Sequence, residues 1–257
     1  MVDAPVGIPE SLVTTLQNAR GIAVLTGSGI SAESGVPTFR DAQTGLWARY
    51  EPQELATPEA FARDPRLVWE WYAWRRELVE QAVPNPGHRA LAVLENRVPG
   101  VVLITQNVDG LHRRAGSQNV TELHGNITRS KCSVEEVVVE PREDDTDVPP
   151  SCPNCGAFLR PDVVWFGEAL PVREFEEALE AARDCDLFFS IGTSGLVQPA
   201  ASLALDALRN GAVIAEINSN QTPLSPYAEY LLRGRAGEVL PALMETAFGR
   251  DLGGHGG

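Results

Sequence analysis

The sequence has little lysine, methionine or cysteine, and it contains no long apolar run. Lys131 is the single lysine among 257 residues, and 35 acidic residues outnumber 21 basic ones to give a net charge of −14. A protein that binds the phosphate backbone of nucleic acids needs a basic surface, and a membrane helix needs about 18 consecutive apolar residues. We therefore expect neither direct binding of nucleic acid nor insertion into a membrane.

The N-terminal segment "MVDAPVGIPE" has no basic stretch followed by an apolar core. It does not have the pattern of a signal peptide, so a cytoplasmic protein is expected. A chain of this size does not need a disulfide scaffold. Cys132, Cys152 and Cys155 lie close together in the sequence, which is typical of a metal site.

Helical and strand patterns alternate along most of the chain, which predicts an α/β fold with a doubly wound, Rossmann-like parallel sheet. Strands are predicted at residues 22–26, 100–105, 119–125, 186–192 and 212–218, and helices at 10–19, 87–97, 172–184, 199–210 and 236–248. Residues 46–86 contain only helical patterns, and residues 128–165 contain the three cysteines and an acidic, proline-rich loop.

These interruptions predict two discontinuous domains and a tail. Residues 1–45, 87–127 and 166–250 are expected to form the Rossmann-like domain. Residues 46–86 and 128–165 are expected to form a smaller inserted domain, made of a helical module and a cysteine-containing ribbon. Residues 251–257 are expected to be disordered.

A glycine loop follows the first predicted strand. Gly27, Gly29 and Ala32 fit the G-x-G-x-x-G/A pattern, in which glycine lets the backbone approach a pyrophosphate. A plain dehydrogenase would continue with a helix and a second strand, but here "SGVPTFRD" follows. The stretch instead predicts a loop that folds over a bound ligand.

Polar residues follow three other predicted strands. Gln106, Asn107 and Asp109 follow one strand, Gly192 to Ser194 follow another, and Asn218 ends a third. Ligands bind at the carboxyl ends of parallel strands, where such groups can bind ribose and phosphate. The alternative is that each group only stabilises a turn or caps a helix.

The chain contains six ordered segments: "GSGISAESGVPTFR", "TQNVDGLH", "ELHGN", "VVWFGE", "GTSGLVQP" and "AEIN". Together they resemble the sirtuin family of NAD-dependent protein lysine deacylases, over about residues 10–245. The resemblance implies NAD as co-substrate, acylated-lysine proteins as partners, and nicotinamide and O-acyl-ADP-ribose as products. A mono-ADP-ribosyltransferase with the same NAD site and a non-catalytic NAD-binding sensor are the alternatives.

The resemblance also implies roles for individual residues. His124 matches the catalytic base, Asn107 matches the residue that binds the nicotinamide ribose, and Asp109 matches the one that recognises the nicotinamide amide. Val164, Phe166 and Gly167 match the segment that clamps the substrate peptide. The residues expected to bind NAD are Gly27, Ser28, Gly29, Ile30, Ala32, Phe39, Arg40, Gln106, Asn107, Val108, Asp109, Gly192, Thr193, Ser194, Asn218 and Ala236.

The segment "WEWYAWRREL" bears on which acyl group is removed. Tyr72 and Arg75 share one helix face at a spacing of i and i+3, and on pattern alone Arg75 is a solvated surface charge. The Tyr-x-x-Arg pair beside Ala56 resembles the sirtuin class that removes succinyl, malonyl or glutaryl groups. In that class the pair binds the distal carboxylate, and the alanine leaves room for it.

The predicted metal site departs from the sirtuin pattern. The family carries two C-x-x-C pairs that bind a structural zinc ion, but here Glu135 stands where the second cysteine of the first pair is expected. Cys132, Cys152 and Cys155 can bind zinc with a carboxylate or with water as fourth ligand. The resemblance therefore implies a zinc-ribbon-like module, and the alternative is a knuckle held by packing without metal.

Overall fold

The computed structural model describes residues 7–36, 50–142 and 146–249. The centre of the fold is a six-stranded parallel sheet. In chain order the strands are β1 (Ile22–Thr26), β2 (Val101–Thr105), β3 (Val120–Glu122), β4 (Gly125–Cys132), β5 (Leu159–Val163), β6 (Leu187–Ile191), β7 (Val213–Asn218) and β8 (Tyr230–Arg233). The large sheet has the order β3-β2-β1-β6-β7-β8. The strand order reverses at the β1–β6 pair, which is the point where open α/β sheets bind ligands.

Helices cover both faces of this sheet, as expected of a doubly wound fold. They are α1 (Glu10–Asn18), α2 (Pro52–Leu55), α3 (Pro58–Arg63), α4 (Pro65–Gln81), α5 (Pro86–Arg97), α6 (Leu111–Arg114), α7 (Val172–Asp184), α8 (Leu203–Arg209) and α9 (Ala236–Phe248). Buried residues of α1, α5 and α9 form the core on one face. Buried residues of α7 and α8 form the core on the other face. The predicted fold class is confirmed.

Strands β4 and β5 form a separate antiparallel pair, which packs against α2–α4. Phe61, Trp71, Tyr72, Ile127 and Trp165 belong to one buried cluster. The two interruptions in the βα pattern therefore share a hydrophobic core, while the exact domain boundaries stay a prediction. Helix α4 begins where the sequence directs it, because the Asp64 side chain accepts the Leu67 N–H at 3.0 Å and proline follows at the first helical position.

Three local predictions differ from the structure. The glycine loop continues as two 3₁₀ turns, Ser28–Ile30 and Ala32–Ser34, which end at Gly35 in the left-handed region. The helix predicted at 199–210 starts as a 3₁₀ turn, Ala200–Ser202, and becomes α-helical at Leu203. Strand β8 was not predicted; it has only four residues and lies at the edge of the sheet.

Some predictions fall outside the described residues. Phe39 and Arg40, both expected to bind NAD, lie there, and so does the tail at 251–257. Within the ranges that the structure describes, no helix is both long enough and apolar enough to cross a membrane.

Candidate functional site

The predicted polar residues converge at the carboxyl edge of the large sheet. Thr26, the last residue of β1, is in register with Thr105 of β2 and Ile191 of β6, so the segments that follow these strands meet. The Gln106 side-chain amide donates to Thr193 Oγ1 at 3.1 Å, and that of Asn218 donates to the Thr193 carbonyl at 2.8 Å. The alternation of strands and helices thus assembles one polar rim from four distant parts of the chain.

The glycines of two turns pack against each other at this rim. The Gly29 N–H donates to the Gly192 carbonyl at 2.8 Å. A Cβ atom at position 29 would lie 2.7 Å from the Gly192 Cα atom, and Gly192 itself has a φ of 59°. Both positions therefore require glycine for the contact between the turns, in addition to any approach to a phosphate.

A cavity of about 400 Å³ opens beside the paired turns. It is lined by the predicted residues Gly29, Ala32, Gly192, Asn218 and Ala236, together with others that include Glu33. Glu33 was not predicted; its carboxylate accepts the Gly237 N–H at 2.8 Å, at the start of α9. The cavity lies at the N-terminus of α9, where the Glu33 carboxylate already occupies one of the N–H groups of the helix.

Two predicted residues have side chains that serve the core. Ile30 is fully buried in the main hydrophobic cluster, and Val108 packs against the cluster around Tyr72. Their side chains do not line the 400 Å³ cavity. Any contact of these two residues with a ligand in that cavity would therefore have to come from the backbone.

A buried polar network joins Asn107, Ser31 and Asp109. Asn107 donates from its amide to the Gly27 carbonyl and to Ser31 Oγ, each at 3.1 Å. Ser31 in turn donates to Asp109 Oδ2 at 2.7 Å. Burial raises the pKa of Asp109, and the bond from Ser31 opposes that shift. Ser31 joins the two predicted residues, and the only sequence signal for it was a serine inside the glycine loop.

His124 lies in the turn between β3 and β4, next to the polar rim. Its Nδ1 atom is 2.9 Å from the Gln106 carbonyl. A carbonyl can only accept, so Nδ1 carries the proton and Nε2 is left with its lone pair. Burial lowers the pKa of His124, partly offset by the bond to Gln106. The imidazole is therefore neutral at neutral pH and can accept a proton at Nε2.

The segment after β5 connects His124 to the cluster around Tyr72. The Val164 N–H donates to the His124 carbonyl at 3.0 Å, and the Phe166 N–H donates to the Ala56 carbonyl at 2.9 Å. Phe166 is half-exposed, and Gly167 follows it in a left-handed conformation. The predicted peptide-binding residues thus lie between the predicted base and the predicted acyl-binding residues.

Tyr72 and Arg75 are buried, which excludes the interpretation of Arg75 as a solvated surface charge. The two residues are 1% and 8% exposed. The Trp165 indole donates to the Tyr72 hydroxyl at 3.0 Å, and the Arg75 guanidinium lies 5.2 Å from the centre of the Trp71 ring. Burial raises the pKa of Tyr72 and lowers that of Arg75. A neutral phenol and a guanidinium both donate hydrogen bonds, a combination that suits a carboxylate.

The cysteine-containing ribbon brings four potential metal ligands together. The ligand atoms of Cys132, Glu135, Cys152 and Cys155 all lie within 4.8 Å of one another. The Cys132 and Cys155 sulfurs are 3.4 Å apart, and the Cys152 sulfur is 3.9 Å from a Glu135 oxygen. Ligands bound about 2.0–2.3 Å from a tetrahedral zinc ion have similar separations. The donor set therefore fits zinc, with Glu135 in the place of a fourth thiolate.

Comparison with known proteins gives consistent relationships along nearly the whole chain. Residues 27–199 match the model of the Sir2 family. An NAD-dependent protein deacylase 1 of Pseudomonas aeruginosa is 50% identical over 247 residues, which cover 93% of this chain and 99% of the relative. An NAD-dependent protein deacylase 2 of Pyrobaculum aerophilum is 54% identical over 235 residues, which cover 90% and 92%.

Solved structures of similar fold include complexes with ligands. A Sir2 homologue in complex with NAD superposes with a TM-score of 0.87 at 48% identity, covering 95% of this chain and 96% of that one. A complex of Sir2 with a p53 peptide and NAD⁺ superposes with a TM-score of 0.82 at 32% identity, covering 92% and 97%.

Proposed function

The chain belongs to the Sir2 family, the sirtuins, and is an NAD-dependent protein deacylase; on that premise we propose that it removes acidic acyl groups, such as succinyl and malonyl, as well as acetyl groups from lysine side chains of proteins. The products are the free lysine, nicotinamide and O-acyl-ADP-ribose, and one water molecule is consumed.

The observation that carries the proposed acyl preference is the buried Tyr72–Arg75 pair. Both side chains are hydrogen-bond donors, and Tyr72 belongs to an otherwise apolar cluster. An acetyl-lysine offers no negative charge at the end of its acyl chain, whereas succinyl- and malonyl-lysine end in a carboxylate. A charge-assisted bond to a guanidinium contributes about 1.5–3 kcal/mol. The small side chain of Ala56 would leave room for the carboxylate.

The proposed NAD site is the carboxyl edge of the large sheet. The paired turns at Gly29 and Gly192, the hydroxyl of Ser194 and the amide of Asn218 would hold the phosphates and the adenosine ribose. Gln106, Asn107 and Asp109 would hold the nicotinamide ribose and its carboxamide. Bound NAD supplies a ribose carbon that receives the acyl oxygen as nicotinamide leaves.

His124 would act as the general base beside that ribose. Its free Nε2 lone pair accepts the proton of a ribose hydroxyl, and the Gln106 carbonyl stabilises the imidazolium that forms. Asn107 would orient the ribose, since its side chain is itself fixed by Gly27 and Ser31. Val164, Phe166 and Gly167 would hold the extended substrate peptide.

Substitution of Arg75 by methionine tests the acyl preference. Arg75→Met retains much of the side-chain length but removes the charge, so kcat/KM for a succinyl-lysine peptide should fall about ten- to a hundredfold. The value for the acetylated form of the same peptide should fall far less. Steady-state kinetics on succinyl, malonyl and acetyl forms of one peptide measure the difference.

Arg66→Met is the matched control for this experiment. Arg66 lies on the same helix, where it is exposed and paired with Glu70. Its loss should therefore leave kcat/KM unchanged for both the succinyl and the acetyl peptide. An equal loss of desuccinylation and deacetylation in Arg75→Met would reject the carboxylate-binding role.

A further inference from the structure

Resting on the proposed acyl-carboxylate site, we propose that Trp165 is a positioning residue for acyl specificity, which aims the Tyr72 hydroxyl proton at the substrate carboxylate while an Arg160–Glu168 ion pair holds the indole in place. Trp165 lies on the peptide-binding segment, 3% exposed, and packs against Phe61 and Tyr72. It therefore connects the backbone that holds the peptide with the side chains that would read the acyl group.

The hydrogen-bond chemistry of the pair fixes where the phenol proton goes. An indole N–H can only donate, so in the 3.0 Å bond with Trp165 the Tyr72 oxygen must accept. The neutral phenol still has its own proton to donate. Neither Trp165 nor Arg75 can accept it, because both are donors only. The phenol proton therefore suits a substrate group that accepts a hydrogen bond, and a carboxylate is such a group.

Arg160 packs on the indole, and Glu168 binds both Arg160 and the Trp165 backbone. The Arg160 guanidinium carbon lies 3.4 Å from the centre of the Trp165 ring. The Glu168 carboxylate accepts the Trp165 backbone N–H at 2.7 Å and an Arg160 N–H at 2.8 Å. Arg160 also donates to the Val163 carbonyl at 2.9 Å. Ring and backbone of Trp165 are therefore held by the same ion pair.

The test uses Trp165→Phe, which retains an aromatic ring but removes the indole donor. Without that donor the Tyr72 hydroxyl is free to turn, so the ratio of kcat/KM for succinyl over acetyl peptide should fall about five- to tenfold, mainly through KM for the succinyl peptide. If Trp165 served folding alone, the substitution would lower kcat/KM for both peptides equally and leave the ratio unchanged.

A double-mutant cycle separates positioning from a direct contact. In a Tyr72→Phe background no hydroxyl remains to be aimed, so adding Trp165→Phe should lower the ratio no further. Independent losses in the double variant, or an unchanged ratio in Trp165→Phe alone, would overturn the proposal. If Trp165→Phe fails to fold, Glu168→Gln tests the ion pair instead. Loosening the indole should lower the succinyl-over-acetyl ratio, and an unchanged ratio would overturn the proposal.

The Arg75→Met variant distinguishes a failure of the positioning role from a failure of the acyl-carboxylate site. If Arg75→Met lowers the ratio and Trp165→Phe does not, the positioning role is wrong and the acyl preference stands. If Arg75→Met leaves the ratio unchanged, the acyl-carboxylate site itself is wrong, and the positioning role fails with it.

Discussion

At the scale of single residues, the environment of His124 decides what the imidazole can do. Its Nδ1 proton is committed to the Gln106 carbonyl, and burial favours the neutral ring. A histidine with the ordinary pKa of about 6.5 would be half protonated at pH 6.5, and the protonated half could not accept a proton. The lowered pKa of His124 extends the pH range in which it can accept a proton.

The proposed base predicts a specific pH profile. The acidic limb of kcat/KM for deacylation should fall below pH 6.5, because the pKa of His124 in the free enzyme is lowered, and His124→Ala should reduce kcat by about a hundredfold or more. Measurement of kcat and kcat/KM from pH 5.5 to 8 with the acetyl peptide tests both statements. Full-rate turnover in His124→Ala, or an acidic limb centred above pH 6.5, would contradict the assignment.

Candidate site residues were easier to name from the sequence than their contacts were. His124, Asn107 and Asp109 carry motifs that a reader of the sequence can align with a family. Ser31, which joins Asn107 to Asp109, is one serine in a loop that contains others, and no local pattern distinguishes it. The Trp165–Tyr72 bond spans 93 positions of sequence, and only the packing of β5 against α4 brings the two residues together.

At the scale of elements, strong periodicity was predictive and weak periodicity was not. Strand β1 and helices α7 and α9 were predicted with the bounds that the structure shows, because each has an unbroken apolar pattern between clear ends. The 3₁₀ turns after Gly27 could not be predicted, since they depend on the contact between Gly29 and Gly192. The pairing of β4 with β5 joins chain segments that carry no shared pattern.

The cysteine-containing ribbon has a testable metal content. We propose that it binds one structural zinc ion through Cys132, Cys152, Cys155 and Glu135, so purified protein should contain about one zinc per chain. Glu135→Ala should weaken zinc binding, and Glu135→Cys should tighten it, each by about tenfold or more, because thiolate is the preferred ligand. Metal analysis after dialysis against a chelator measures both effects.

Glu140→Ala is the control for the ribbon, since Glu140 belongs to the same segment but not to the ligand cluster. It should bind zinc as the wild type does. Fully active protein without zinc would show that the ribbon is held by packing alone.

At the scale of the whole molecule, the site depends on two hydrophobic cores that meet. The residues predicted to bind NAD lie along the large sheet. Those predicted to bind the acyl group lie where α2–α4 pack against β4 and β5. The Val164–His124 bond connects the segment after β5 with the turn that follows β3 of the large sheet. The order of the strands and the contact between the two cores are determined by tertiary packing. Neither could be predicted from a single stretch of sequence.

Buried histidines make the stability of the whole fold depend on pH. Burial, with smaller effects of neighbouring cationic groups, lowers the pKa of His88 to about 4 and that of His112 to about 3. In the unfolded chain both titrate near 6.5, so between pH 6.5 and 4 the unfolded state binds more protons than the folded state. The contribution of these two histidines to stability therefore decreases as pH falls through that window.

The size of this effect can be measured by urea unfolding. From pH 7.5 to pH 5, each of the two histidines should lower the free energy of unfolding by about 2 kcal/mol, or about 4 kcal/mol together. His112→Asn should reduce the slope below pH 6 by about 1.4 kcal/mol per pH unit, whatever its effect on absolute stability. A wild-type free energy of unfolding that stays constant or rises between pH 7.5 and 5 would mean that these imidazoles are protonated in the folded protein.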